Sequence, residues 1–467
     1  MASFAHDHGG MTQNTLDAAR PDTHPARKER AMPVHSHQKR YTVRACAAGL
    51  AALSLTLATA CGEPPGEETA GEGGETAGLA EDPAFVWAVT GADRAIHEEV
   101  ARLWNENNPD QQVDIFFLAP TADEQRQAMF QDLQNQAGEF DVLGLDVIWT
   151  GEFAEYGYIE SLEDLRGEVE GVSLEGAVDS SQWQQELYAL PYSSNGAFLY
   201  YRTDLIEEPP TTWDELYETG MAAAEEEGIS AYVGQGDQYE GFVVNYLEMY
   251  WSAGGQLFDD AQEQSTFLEG DAATTALDFM TEAYESGFYA DGFDTMVEDD
   301  ARALFQAGEA VYMRNWPYAI PLLAGEGDEE SAVADDFAVA PLPTFSGEGT
   351  TSALGGLNNA VSTLSDSKDL AREFVLWAAT DPEAQDILLQ NSLPPTMASA
   401  YENTEDPDFQ MLGDILAQAQ ARPPVPGYNS LSLAMQDSLH PAFRGQEEPD
   451  AALEAVDQAA NDALEQE

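Results

Sequence analysis

Glu139-Phe-Asp-Val-Leu-Gly-Leu-Asp-Val-Ile-Trp-Thr-Gly-Glu-Phe-Ala-Glu-Tyr-Gly157 passes from an apolar, β-type half into an acid, a tryptophan and a glycine turn. Its first half reads as a buried strand. Asp146 and Trp149 then stand at or just past the strand's carboxyl end. In open α/β sheets that edge is where ligands bind. A carboxylate accepts hydrogen bonds from hydroxyls, and an indole face covers apolar C–H surface. Together they suit a polyhydroxylated ligand.

Upstream, Phe85-Val-Trp-Ala-Val89 reads as a strand and Thr90-Gly-Ala-Asp93 as a turn that caps a helix. That helix carries Ile96, Val100 and Leu103 on one face, and Asn108-Pro-Asp110 stops it. Val113-Asp-Ile-Phe-Phe-Leu118 is the next strand, and residues 124–137 are helical. The order β-α-β-α-β specifies a parallel sheet with right-handed crossovers.

Downstream, residues 162–165 begin a helical or loop segment. Residues 189–202 form a long β-type stretch, broken by Pro191 and loosened by Gly196, as where a strand leaves one domain for another. A helix starts at Pro209-Pro-Thr-Thr-Trp-Asp-Glu-Leu216, with Thr212 as its cap. Helices then dominate to about residue 324, interrupted at 232–236 and by a short strand at 310–316. Residues 337–343 read as a second crossing. Gly355-Gly356 precede a strand at 359–363, 369–390 form one helix, and 391–396 a third crossing. Helical stretches at 408–420 and 449–465 close the chain.

A chain of 467 residues has room for two or three domains, and 43% hydrophobic residues allow a sizeable core. The net charge of −68 excludes nucleic acid or an anionic membrane surface as main partner, since both need a basic footprint. Aromatics at 10% and periodic apolar patterns argue against disorder. Residues 32–60 read as a secretory signal: Lys39, Arg40 and Arg44 precede an apolar run from Ala45 to Ala60. It closes on Leu57-Ala-Thr-Ala-Cys61, which resembles the lipobox of bacterial lipoproteins, so Cys61 is expected to be lipidated and the membrane contacted through that anchor only. Residues 1–31 have no place in such a signal and are expected to precede the true start at Met32. Residues 61–83 read as an acidic tether of roughly 25 Å root-mean-square span.

Seven of the 18 basic residues but only four of the 86 acids precede Cys61, so the mature chain is still more acidic, and Lys368 is its one lysine. Such a surface suits high salt, where self-repulsion is screened within a few ångströms. Cys46 leaves with the signal, so no thiol remains for a disulfide, nucleophile or metal. His97 and His440 lack zinc-ligand spacing, residues 291–300 lack the pattern of a calcium loop, and no GxSxG, HExxH or Walker-type loop occurs. No cofactor or metal is implied.

Nine short motifs stand in a familiar order: Asn108-Pro-Asp110, Leu145-Asp-Val-Ile-Trp-Thr-Gly-Glu-Phe153, Leu190-Pro-Tyr with Leu199-Tyr-Tyr-Arg202, Pro210-Thr-Thr-Trp-Asp-Glu-Leu216, Tyr239-Glu-Gly241, Phe305-Gln-Ala-Gly308, Arg314-Asn-Trp-Pro-Tyr318, Gly355-Gly-Leu-Asn358 and Arg422-Pro. From about residue 85 to its end the chain resembles the extracellular solute-binding proteins of ABC importers, family 1, and within it the trehalose/maltose-binding branch. The resemblance implies a two-lobed, periplasmic-binding-protein-like α/β fold. Each lobe would be a mainly parallel sheet flanked by helices: 84–192 plus 344–391, and 196–339 plus 396–467. Three crossings, near 193, 342 and 393, would join them. It also implies a monomer that closes by a hinge around a sugar and presents it to ABC transporter permease subunits.

The same resemblance marks the pocket. Asp146 would bond sugar hydroxyls, or else be a turn aspartate; Trp149 would stack or pack. Trp316, on a loop stiffened by Pro317, is the main stacking candidate, with Tyr318 and Tyr239 beside it. Arg422 would reach the sugar, or serve a salt bridge. Asn195 replaces the family's usual aspartate, and Leu357 its tryptophan; Gly355, Gly356 and Asn358 complete that motif. Asp93 matches an acidic ligand of the family, but as a residue in a helix start it reads first as a cap. The alternatives are a secreted carbohydrate-active enzyme and a binding protein for peptides or polyamines, which would need charged anchors in place of aromatic ones.

Overall fold

The computed structural model describes residues 74–465, apart from 120, 260–263, 326–329, 350, 405 and 424. The signal, Cys61 and the start of the tether lie outside the described residues. The first sheet begins at its edge with β1 (Glu75–Thr76), followed by β2 (Phe85–Thr90), β3 (Val113–Leu118) and β4 (Val142–Asp146). β2 pairs in parallel with both β3 and β4, and the helices α1 (Arg94–Asn107) and α2 (Ala122–Gln134) make the crossovers. Asn108 caps α1 just before Pro109, as expected. The tether is shorter than the 61–83 read from composition. Glu75 and Thr76 pair with Phe117 and Phe116, and Ala77 and Leu79 pack on the core.

Past α3 (Thr150–Glu155) the chain joins the far edge of the sheet as β5 (Ala189–Asn195). Pro191 does not break this strand. It sits in an edge strand at a bulge, where Pro191 pairs with Asn358 and Ser193 with Leu357, so its missing N–H interrupts no ladder. At Gly196-Ala197 the chain passes into a second sheet as β6 (Phe198–Arg202), completed by β7 (Ser230–Val233), β8 (Ala310–Asn315) and β9 (Phe337–Pro341) in the order β9-β6-β8-β7. It then returns as β10 (Gly355–Val361), antiparallel between β4 and β5. The two-lobed α/β architecture is therefore as read, but the sheets are mixed, not mainly parallel. Among the paired strands of the described residues, β3–β2, β2–β4 and β8–β7 are parallel and the others antiparallel. The strands that come directly from the other sheet, β6 and β10, run antiparallel to both of their neighbours.

Helices cover both sheets. α4 (Trp213–Glu227) starts where Thr212 Oγ1 accepts the Glu215 N–H at 3.0 Å, as read from the sequence. α5 (Glu240–Ser252) is buried almost along its whole length, and α6 (Glu298–Gln306) precedes β8. The single helix expected over 369–390 is two, α7 (Lys368–Thr380) and α8 (Pro382–Gln390). Pro382 fits only the first turn of a helix. α9 (Tyr428–Phe443), with Pro441 inside it, was not read from the sequence at all. One apolar core gathers Trp87, Trp104, Tyr192 and Phe374 on one face of the first sheet. A larger one runs from Leu145 and Phe153 through Tyr232, Tyr246 and Phe293 to α9. No described helix is long and apolar enough to cross a membrane.

Candidate functional site

The carboxyl ends of β2, β4 and β5 face α5, α6 and the end of β8 across a cleft of about 230 Å³. Nine of the sequence-selected residues line it: Asp93, Asp146, Asn195, Tyr239, Trp316, Tyr318, Gly355, Gly356 and Arg422. Two do not. Trp149 is 2% exposed: its backbone N–H closes a turn on the Asp146 carbonyl at 2.9 Å, and its side chain belongs to the larger apolar core. Asn358 is fully buried and donates to Thr150 Oγ1 and to the carbonyl and hydroxyl of Ser180. Strand alternation turns it away from the cleft that its neighbour Leu357 lines.

Asp146 ends β4 and accepts the Ile148 N–H at 3.2 Å. Its Oδ1 also accepts from Arg422 Nη2 at 3.2 Å, so the first lobe's acid meets an arginine carried late in the chain. Arg422 Nη1 donates to Glu240 Oε1 at 2.7 Å. Glu240, at the start of α5, accepts in addition from the Tyr428 and Ser432 hydroxyls of α9. The salt-bridge and sugar-contact readings of Arg422 are thus compatible: it is paired, yet it lines the cleft. Burial opposes its charge, but Asp146 and Glu240 hold its pKa above the usual value. Burial raises the pKa of Asp146, and Arg422 counteracts this.

The aromatic wall comes from the other side. Tyr239 donates its hydroxyl to Glu298 Oε2 at 2.7 Å, and Tyr318 donates to Asp299 Oδ1 at 3.2 Å. Burial lifts both phenols well above their ordinary pKa, so both stay donors. Trp316 follows β8 and reaches across to β10. A Cβ on Gly355 would sit 3.3 Å from the indole Cη2, so a side chain there would press on the ring. Gly356 holds φ +122°, and a Cβ would meet the Ser193 carbonyl at 2.2 Å. Leu357 pairs with Asp146 in register and gives this part of the cleft an aliphatic floor.

Asp93 corrects an expectation. It occupies the N-cap position of α1 but makes no side-chain capping bond, and its carboxyl faces the cleft instead. Burial, and then Asp299 opposite, push its pKa up to about 6. The sequence reading passed over Glu240, Glu298 and Asp299. Glu240 stood inside the quoted Tyr239-Glu-Gly241 motif, and the other two lay in an acidic stretch weighed only as a calcium loop. Among the described lining residues, five carboxylates (Asp93, Asp146, Glu240, Glu298, Asp299) face one basic side chain, Arg422. The cleft therefore offers charged acceptors, phenol donors and one indole face, which suit hydroxyls and C–H surface together.

Residues 106–417 match the family model described as bacterial extracellular solute-binding protein. A probable ABC transporter-binding protein of Deinococcus radiodurans is 30% identical over 360 residues, covering 72% of this chain and 83% of that one. The maltose-bound MalE3 of T. maritima superposes with a TM-score of 0.74 at 30% identity, over 80% of this chain and 98% of that one. A solute-binding protein of Thermotoga lettingae bound to α-D-tagatose has a TM-score of 0.73 at 21% identity, over 81% and 98% of the two chains, a likeness of fold. With two lobes, a polar and aromatic cleft between them, and a family match over most of its length, the chain belongs to the bacterial extracellular solute-binding proteins.

Proposed function

We propose that the protein is the substrate-binding component of an ABC sugar importer, and that its solute is a neutral α-glucoside such as maltose or trehalose. The observation that carries this is the convergence of Asp146, Arg422 and Trp316 on one cleft from opposite lobes. Similarity to a maltose-bound protein at 30% identity supports the α-glucoside, while the tagatose-bound relative keeps other sugars within the class. The cavity lies below the roughly 300–1,000 Å³ usual for ligand pockets, which favours a short sugar over a long glucan. The lobes, 84–192 plus 344–391 and 196–339 plus 396–467, close by a hinge at the crossings. The closed form is what permease subunits read, with a monomer held at the outer face of the cell membrane by a lipid on Cys61.

Calorimetry with maltose, trehalose, sucrose and longer α-glucans tests the reading. The expected result is a micromolar dissociation constant, about −8 kcal/mol, for one short sugar, with no product formed. Binding of none of them, or hydrolysis of one, rejects it.

A further inference from the structure

Arg314 lies over the ring of Trp316, its guanidinium carbon 3.9 Å from the centroid, and is not itself among the described residues that line the cleft. Arg314 is 1% exposed and gripped as a fork: Nε donates to Glu248 Oε2 at 3.0 Å and Nη2 to Glu248 Oε1 at 2.7 Å. Nη1 donates to Gln235 Oε1 at 3.1 Å. Glu248 is 2% exposed and projects from α5.

The same carboxylate has another partner. Glu248 Oε1 accepts the Ala353 N–H at 3.1 Å. Ala353 lies in the segment that returns the chain from the second sheet to β10. Its neighbour Ser352 touches two further stretches: Ser352 Oγ accepts the Ala197 N–H at 2.8 Å, where the chain first left the first sheet, and the Ser352 carbonyl accepts the Gln420 N–H at 2.9 Å, just before Arg422. A buried ion pair gains little stability over apolar side chains of the same size. Its presence beneath the indole and against the passages between lobes therefore asks for a role other than stability.

We propose that Glu248 is a positioning residue that couples the plane of Trp316, through Arg314, to the inter-lobe segment at Ala353. A solute resting on the indole and the position of the lobes are then read by one carboxylate. This rests on Trp316 as the stacking residue of the proposed function.

The test begins without ligand. The near-ultraviolet circular dichroism of the wild-type protein minus that of Trp316→Phe isolates the Trp316 signal. In Glu248→Gln, which keeps the shape and one acceptor but removes the charge, at least half of that signal is expected to disappear while the far-ultraviolet spectrum is unchanged. Maltose affinity is expected to fall at least tenfold, and the contraction seen by X-ray scattering at saturating maltose to shrink. If Glu248→Gln does not fold, the double variant Glu248→Met/Arg314→Met, with apolar groups of similar length, carries the same expectations. A wild-type Trp316 signal in a folded variant overturns the coupling, whether or not maltose binds. Trp316→Ala measured alongside separates the two claims. Lost binding there with wild-type behaviour in Glu248→Gln overturns the coupling alone, whereas wild-type affinity in Trp316→Ala overturns the stacking reading and the coupling with it.

Discussion

At the scale of single residues, the cleft is a set of charges held in unequal balance. Arg422 is 4% exposed and holds Glu240 and Asp146 together. Arg422→Met would leave the buried Glu240 and the half-buried Asp146 without their cation, and removing one partner of a buried pair costs about 3–5 kcal/mol. Chemical unfolding at pH 7 is expected to show a loss of that order. Asp93 acts in the other direction. Folded, it binds a proton more readily than unfolded, because its pKa rises from 3.8 to about 6. Its contribution is favourable below about pH 4 and is lost as pH rises through about 6. His97 opposes it: burial lowers its pKa from 6.5 to about 3, so stability falls as pH drops through that window. Asp93→Asn is therefore expected to gain about 1–2 kcal/mol at pH 7, after allowance for solvent screening, and to lose stability more steeply between pH 6 and 4 than the wild type. Unfolding curves across pH 4–8 measure both effects.

At the scale of elements, α8 exists as a separate helix because Asp381 caps it, accepting the N–H of Glu383 at 2.9 Å and of Ala384 at 3.1 Å. Asp381→Ala is expected to cost about 1 kcal/mol, read as a lowered melting temperature. The apolar period runs on through Pro382, which is why the pattern predicts one helix over 369–390; only the Asp381-Pro382 pair marks the break. Strongly periodic stretches such as β2, β3 and α1 were legible within a residue or two, since one buried face dictates them. α9 was not, although Leu431, Met435 and Leu439 keep helical spacing, because Asn429, Ser430 and Pro441 blur its ends. The cost was functional, since Tyr428 and Ser432 of that helix complete the Glu240 cluster. The burial of Trp149 is hidden from the sequence for the opposite reason. Its place at a strand end is local and visible, whereas the turn that buries it depends on tertiary packing.

At the scale of the whole molecule, charge sets expectations for both selectivity and stability. An anionic solute entering the cleft would meet, among the described lining residues, five carboxylates and a single arginine already paired with two of them. Glucuronate or glucose 6-phosphate is expected to bind at least a hundredfold more weakly than a neutral sugar, measured by calorimetry at one ionic strength. The net charge of −68 sets a further expectation: the melting temperature should rise from low to molar salt as self-repulsion is screened, and a flat response would argue against a salt-adapted surface. The proposed closure of the lobes on a neutral sugar would unite these features, because stacking on Trp316 and hydrogen bonding to Asp146 would need both halves of the cleft at once. Its most direct test is calorimetry of the wild type and Trp316→Ala side by side with maltose. The account expects micromolar binding by the wild type, and a loss of at least a hundredfold in a variant that melts at the wild-type temperature; equal affinity in the two proteins would contradict it.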